Sequence, residues 1–504
     1  MDTDGDARQL RIAFQQYLYA IESVPSPGSF ASIHAAFKEL SDNNFHIPQK
    51  RWLNAFELAY VSNYTAMFGT NKRKQKLMIP IDAPLNKLKK LWKLAEESSA
   101  YSDRNDYAGT FALRITYQQL PHVIHPARVL PMLSRMNSLM AGNEMSAYTP
   151  KKFSVKCDDL FNVTKALFQR FTQFSMQTDR DVASIADEDT LAVALNLFCA
   201  TRLERTIFHK NRLELKSAAE KPYEINSLLR YPIIRHGEEL YCPYPQLIGY
   251  AATRGLFFRC CDEDGDKFRA PFAKSNESYV KRMLSEAMPD AEVLTEDDER
   301  RLGWGGKTND VTVIRGDSAV LIECKLSGLY VNAKRTASPE SIIADVRKQI
   351  ADARDRRGLF QLHDKLQAIQ TRLLPQSLLD KYTNVKHFYP VLLLFDDISQ
   401  ANAAEVLGNI IRDELRANGI DAFEYQIWNL EELEWLTEQS GADSLSWIAE
   451  KFSTKNQAMD LSSFVADKAH REFLRPIMYL PEGDTRAIQI LKGLVAKYAV
   501  AQSD

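Results

Sequence analysis

Asp310, Glu323 and Lys325 are the side chains whose types and spacing could do chemistry, and they lie in the stretch WGGKTNDVTVIRGDSAVLIECK, residues 304–325. Val311, Val313 and Ile314 precede Arg315-Gly316-Asp317-Ser318, and 319–322 form a second β-prone run, which together read as a hairpin. A two-residue Gly316-Asp317 loop sets Arg315 against Ser318 and so brings Asp310 opposite Glu323. Side chains alternate with period two. Asp310, Thr312, Ile314, Leu321, Glu323 and Lys325 then share one face, and Val311, Val313, Val320, Ile322 and Cys324 the other. Opposed residues hold their Cβ atoms about 4.5 to 5.5 Å apart, where two carboxylates repel and call for a cation. The hard ion suited to such oxygens is Mg²⁺, which accepts one or two carboxylates and keeps several waters. Lys325, two residues along on the same face, can then reach a phosphate or a metal-bound water.

Asn309-Asp310, a gap of twelve residues, and Glu323-Cys324-Lys325 resemble the PD-(D/E)xK nuclease superfamily, with Asn309 in place of the proline. The resemblance implies an α/β restriction-endonuclease-like core of order α-β-β-β-α-β. It also implies Asp310 and Glu323 as ligands of Mg²⁺ with Mn²⁺ able to substitute, Lys325 orienting or activating the attacking water, and DNA as the substrate. A Glu on the family's first helix often joins the metal site, which points to Glu277, and Gln349 matches a helix glutamine common in the family. A large helical domain joined to such a nuclease resembles bacterial restriction and antiphage effectors.

The flanking elements must position these groups. Ser275 or Asn276 can cap a helix with Val280, Met283, Leu284 and Ala287 on its apolar face. Glu277 then lies at its start, where an acid is also favoured by the helix dipole alone. Pro289 ends the helix and 291–294 supply a strand. Ser338-Pro339-Glu340 opens another helix, with Ile343, Val346, Ile350 and Ala353 as its stripe and Gly358 as its stop. Its Arg347, Lys348, Arg354, Arg356 and Arg357, balanced by Asp345, Asp352 and Asp355, form either a phosphate-binding face, Arg347 and Lys348 foremost, or a solvated one. A helical insertion, a buried strand at 389–395, a helix at 402–417 and a strand at 425–428 complete the region.

At 504 residues the chain is expected to form several domains. They are 1–220, mainly α-helical; 221–270, a hairpin and connecting segment; 271–440, nuclease-like; and 441–504, helical again. A net charge of −2 excludes general polyanion affinity, so any nucleic-acid surface must be local. Cysteines without a CxxC pair suit reduced thiols, and neither a signal segment nor an apolar run of about eighteen residues is present, so the expectation is a cytoplasmic protein with no membrane partner.

Residues 1–6 are polar and expected to be disordered, and the helical stripe begins at Leu10, Phe14 and Tyr17. Lys72, Arg73, Lys74 and Lys76, with Lys87, Lys89, Lys90 and Lys93 around Trp92, suit nucleic acid or a solvated helix face above Leu85, Leu88, Leu91 and Leu94. His122 and His125 lack the spacing of a zinc motif. Arg235-His236-Gly237-Glu238 resembles the opening of histidine phosphatases but lacks their downstream residues. Asp262, Asp264 and Asp266 misplace the glycine of a calcium loop, and Gly306-Lys307-Thr308 precedes a strand where a P-loop needs a helix. The competing reading is a catalytically silent nuclease-like scaffold that binds nucleic acid or a protein partner, the helical regions serving for partner binding or homo-oligomer formation.

Overall fold

Around the 311–325 hairpin the chain builds a five-stranded mixed sheet. The computed structural model describes residues 3–22, 26–42, 55–69, 81–97, 124, 126–214, 226–326, 339–395, 403–453 and 461–468. They separate into two units, one reaching to Gly265 and the other starting at Asp266 and including Gly142–Met145.

The first unit is mainly helical. Its opening helix starts at Thr3, within the 1–6 segment expected to be disordered, and a second helix spans Ser26–Asp42. Helix Asp82–Glu97 turns Leu85, Leu88 and Leu91 into the core and leaves Lys87 and Lys90 outside, as an amphipathic solvated helix does. The basic stretch at 72–76, His122 and His125 lie outside the described residues.

The mainly helical 1–220 also contains two short strands. Strands β1 (Met176–Thr178) and β2 (Cys199–Thr201) join β3 (Ile233–His236) and β4 (Glu239–Tyr241) in a sheet of order β1-β4-β3-β2. The hairpin expected as a connector is therefore part of the first unit, because both its edges find partners. Gly237 sits at its tip with φ +63°, the left-handed conformation such a turn requires. Asp264 is engaged by the Tyr148 hydroxyl at 2.5 Å and by Lys152 at 2.8 Å, in keeping with a structural role for the Asp262–Asp266 run.

The second unit is α/β. Its strands β5 (Glu292–Thr295), β6 (Val311–Arg315), β7 (Ser318–Lys325), β10 (His387–Leu394) and β11 (Gln426–Asn429) stand in the order β11-β10-β7-β6-β5. A two-stranded ribbon, β8 (Ala351–Asp352) and β9 (Arg357–Gly358), lies between β7 and β10 in the chain. β5, β6 and β7 are antiparallel, whereas β10 runs parallel to both β7 and β11. The β6–β7 register is the expected one, with Arg315 against Ser318 and Val311 against Ile322, and Gly316 turns the corner with φ +61°. Val311, Val313, Val320 and Ile322 are buried on one face and Thr312, Ile314 and Leu321 on the other, so the hairpin is covered on both sides.

Three helices differ from the sequence reading. Helix α1 spans Asp266–Ala287 and carries Ser275 and Asn276 in its buried interior, so neither caps it. The reason lies upstream: Phe268 and Phe272 extend the apolar stripe by two turns, and Phe272 meets Phe395 edge-on at 5.4 Å between centroids. Between β5 and β6 the short α2 (Glu296–Arg301) is started by a capping box between Thr295 and Asp298. Helix α3 (Pro339–Gln349) ends nine residues before Gly358, because the chain turns there into the β8–β9 ribbon. Arg354, Arg356 and Arg357 consequently leave the helix face on which Arg347 and Lys348 remain. Helix α4 (Leu359–Gln370), expected as an insertion, packs on β7 and β10, and α3 packs on α5 (Ala403–Ala417). Helix α6 (Leu430–Ser440) follows β11, and its Glu434 accepts the Tyr279 hydroxyl of α1 at 2.8 Å.

Gly358 is the hinge of this arrangement. Its φ is +63°, Leu359 N donates to Ile350 O at 2.9 Å, and a Cβ at position 358 would collide with that same carbonyl. Main chain cannot yield as a side chain does. Gly358→Ala is expected to destabilise the protein by about 1 to 3 kcal/mol, read as a lower urea midpoint than Gly316→Ala, whose Cβ would meet nothing within 4 Å.

Candidate active site

The β6–β7 ladder ends at Val311 and Ile322, and the next residue outward on each strand is a carboxylate. Asp310 leaves the ladder and turns its own Oδ2 onto the Cys324 amide, which donates to it at 2.6 Å. Glu323 is 1% exposed, with Lys325 Nζ on Oε1 at 2.5 Å and Gln361 Nε2 on Oε2 at 2.8 Å. Both its oxygens are thus occupied by donors, as a buried carboxylate requires. Asn309, next to Asp310 in the chain, is buried and acts as a clamp. Its Nδ2 donates to Val311 O at 2.7 Å and to Thr312 Oγ1 at 2.9 Å, which stabilises the end of β6.

Glu277 comes from the middle of α1. Because the helix begins at Asp266, Glu277 lies beyond the first turn, where the helix dipole acts, so the dipole gives no account of it. Its Oε2 stands 3.4 Å from Lys274 Nζ. Sequence reasoning missed Glu296, the first residue of α2, whose amide donates to Asp310 O at 3.2 Å and whose charge acts on Glu277, Asp310 and Glu323.

The electrostatics follow from burial and crowding. Burial, then the charge of Glu323, pushes Asp310 far above the usual carboxylate range, with Lys325 opposing. Burial likewise raises Glu323, against the attraction of Lys325. For Glu277 burial and then Asp310 raise the pKa to about 7. Burial alone would lower Lys325, but Glu323 and Asp310 outweigh it and hold the ammonium in its charged form. Four carboxylates thus surround one fully engaged lysine and Lys274.

Such a donor set fits a hard divalent cation. Among the described residues no three His, Cys, Asp or Glu side chains gather closely enough to hold a metal by themselves. One or two carboxylates completed by water is, however, the ligand set Mg²⁺ ordinarily takes, and Asp310 and Glu323 are ligands of that kind.

The remaining sequence-derived candidates lie on α3. Arg347 is exposed and pairs with Glu414 at 2.7 Å, Lys348 is exposed beside it, and Gln349 is the last helical residue. The glutamine bonded to Glu323 is Gln361, on α4, and it also donates to Thr308 O at 2.5 Å. Its only sequence signal was that Gln361 and Lys365 are spaced i, i+4 and so share one face of the helix, a pattern that the other polar residues of α4 do not let stand out. Comparison with protein-family models, curated proteins and solved structures finds no match to this chain.

Glu277 ionises less readily in the folded protein than in the unfolded chain. Its contribution therefore favours folding fully below its ordinary value of 4.5 and is lost as pH rises through about 7. In metal-free protein, carbon-detected titration of Glu277 should show a midpoint near 7, and Asp310→Asn should move that midpoint down by removing the neighbouring charge. An unchanged midpoint would remove Asp310 from the site of Glu277.

Proposed function

We propose that the second unit is a PD-(D/E)xK-type nuclease domain of restriction-endonuclease-like fold that hydrolyses DNA phosphodiester bonds with Mg²⁺, for which Mn²⁺ can substitute. The observation that carries this reading is the meeting of Asp310, Glu323 and Lys325 at the open end of one antiparallel pair, with Glu277 beside them. The order α1, β5, β6, β7, a crossover containing α4, and β10 supports the fold assignment.

Asp310 and Glu323 would hold the ion, with Glu277 as a further acidic ligand through water. When bound, the ion supplies Lewis acidity and lowers the pKa of a coordinated water. Lys325, kept charged by its neighbours, orients the attacking water and stabilises negative charge developing on the phosphate. Gln361 holds Glu323 by one oxygen and leaves it correctly turned. Arg347 and Lys348 offer an exposed basic edge for the DNA backbone, Arg347 after releasing Glu414. Coupled to a helical unit, a nuclease of this kind suits a restriction or antiphage effector whose helical part senses or assembles, a reading by analogy of architecture.

Purified protein incubated with DNA and RNA, with and without Mg²⁺ or Mn²⁺, is the direct test. Cleavage of DNA only with the metal, lost in Asp310→Ala and in Lys325→Ala while the protein stays folded, is the expected result. A silent scaffold would retard nucleic acid without cutting it, and full cleavage by Asp310→Ala would sink the assignment. Gln361→Ala should lower metal affinity or activity by about 10- to 100-fold, as loss of a group orienting a ligand does. Gln349→Ala should leave both unchanged.

A further inference from the structure

Behind the carboxylates lies an ion pair that reaches neither solvent nor substrate. Lys365 of α4 and Glu299 of α2 are both fully buried and are bonded to each other through Glu299 Oε2. The same oxygen accepts the Thr308 hydroxyl, and Oε1 accepts Thr312 Oγ1 at 3.1 Å and the Tyr382 hydroxyl at 3.2 Å. Lys365 Nζ also lies 5.3 Å from the centre of the Trp304 ring. Burying two charges costs desolvation that their attraction only partly offsets, and apolar residues of similar volume often serve stability as well. A role in geometry accounts better for the choice.

The connections give that role. Thr308 and Thr312 flank Asp310 by two residues on either side, so Glu299 grips the strand end on both sides of the carboxylate. Lys365 stands one turn from Gln361, which holds both Glu323 and Thr308 O. We infer that Glu299 and Lys365 are positioning residues, whose buried pair fixes the strand carrying Asp310 against the helix carrying Gln361 and so sets the two carboxylates relative to each other. Placing this pair in the service of metal binding rests on the nuclease reading above; its effect on Asp310 does not.

Two variants of the full chain separate these links. Thr308→Val with Thr312→Val keeps the pair but frees the strand from it, and Lys365→Met with Glu299→Gln replaces the pair by neutral groups of similar size. In the metal-free protein the Cys324 amide, bonded to Asp310, reports the position of that carboxylate through hydrogen exchange, with the Ile322 amide as internal control. Both variants should keep the wild-type helix content, lose protection at Cys324 but not at Ile322, and bind Mn²⁺ about tenfold or more weakly. A folded variant pair with wild-type protection at Cys324 and wild-type Mn²⁺ affinity overturns the inference. Unfolding of both overturns it too, since the network is then a support of the fold alone. If the wild-type protein binds no Mn²⁺, the nuclease reading fails, and exchange at Cys324 still decides the positioning role.

Discussion

Two carboxylates at the end of one antiparallel strand pair, in a site largely closed to water, are the constraint on which the second unit depends. Each loses hydration on burial, and the charge of Glu323 adds to the cost of ionising Asp310. The protein meets this with donors rather than with exposure. Cys324 N–H serves Asp310, and Lys325 and Gln361 serve Glu323. What remains is an excess of negative charge, visible in the raised pKa values of Asp310, Glu323 and Glu277, which ionise less readily than free carboxyls.

Each surrounding element can be understood by the donor or wall it brings. Helix α1 holds Glu277 in its interior rather than in its first turn because Phe268 and Phe272 prolong its apolar face upstream. Helix α4 brings Gln361 because Gly358, in a conformation other residues resist, lets the chain leave the ribbon against Ile350. Asn309 ties the end of β6 with its side-chain amide, which donates to Val311 O and Thr312 Oγ1. The first unit carries a different economy of polar groups. Arg205 is buried and is held among the described residues by Ser227 Oγ at 3.0 Å and by the Tyr231 and Ile233 carbonyls. No helix among the described residues is long and apolar enough to cross a membrane.

The hairpin and its register were legible in the sequence because they are local. Period-two alternation and a two-residue loop starting with glycine leave one pairing that buries Val311, Val313, Val320 and Ile322 together, and Asp310 and Glu323 follow at its end. The strands at 389–395 and 425–428 were legible for a similar reason, as short apolar runs, and each differs by one or two residues from the observed one. The start of α1 and the end of α3 were not. Capping residues at Ser275 and a stripe running through Ile350 and Ala353 are sound local signals, but tertiary packing of Phe268 and Phe272 and the ribbon's turn at Gly358 override them.

By itself, then, the sequence determined the hairpin, the register that ends at Val311 and Ile322 with Asp310 and Glu323 next outward, the neighbouring Lys325 and the succession of elements around them, since all of these follow from periodicity and turn chemistry over short spans. Only the tertiary structure decided that Gln361 rather than Gln349 touches Glu323, that Glu296 joins the charged group, and that Glu299 and Lys365 meet in the interior. Those residues are separated by tens of positions in the chain, and no local preference encodes which of several polar side chains on a helix will find a buried partner. That choice is made when the helices close on the sheet and each buried charge must find a donor or an opposite charge.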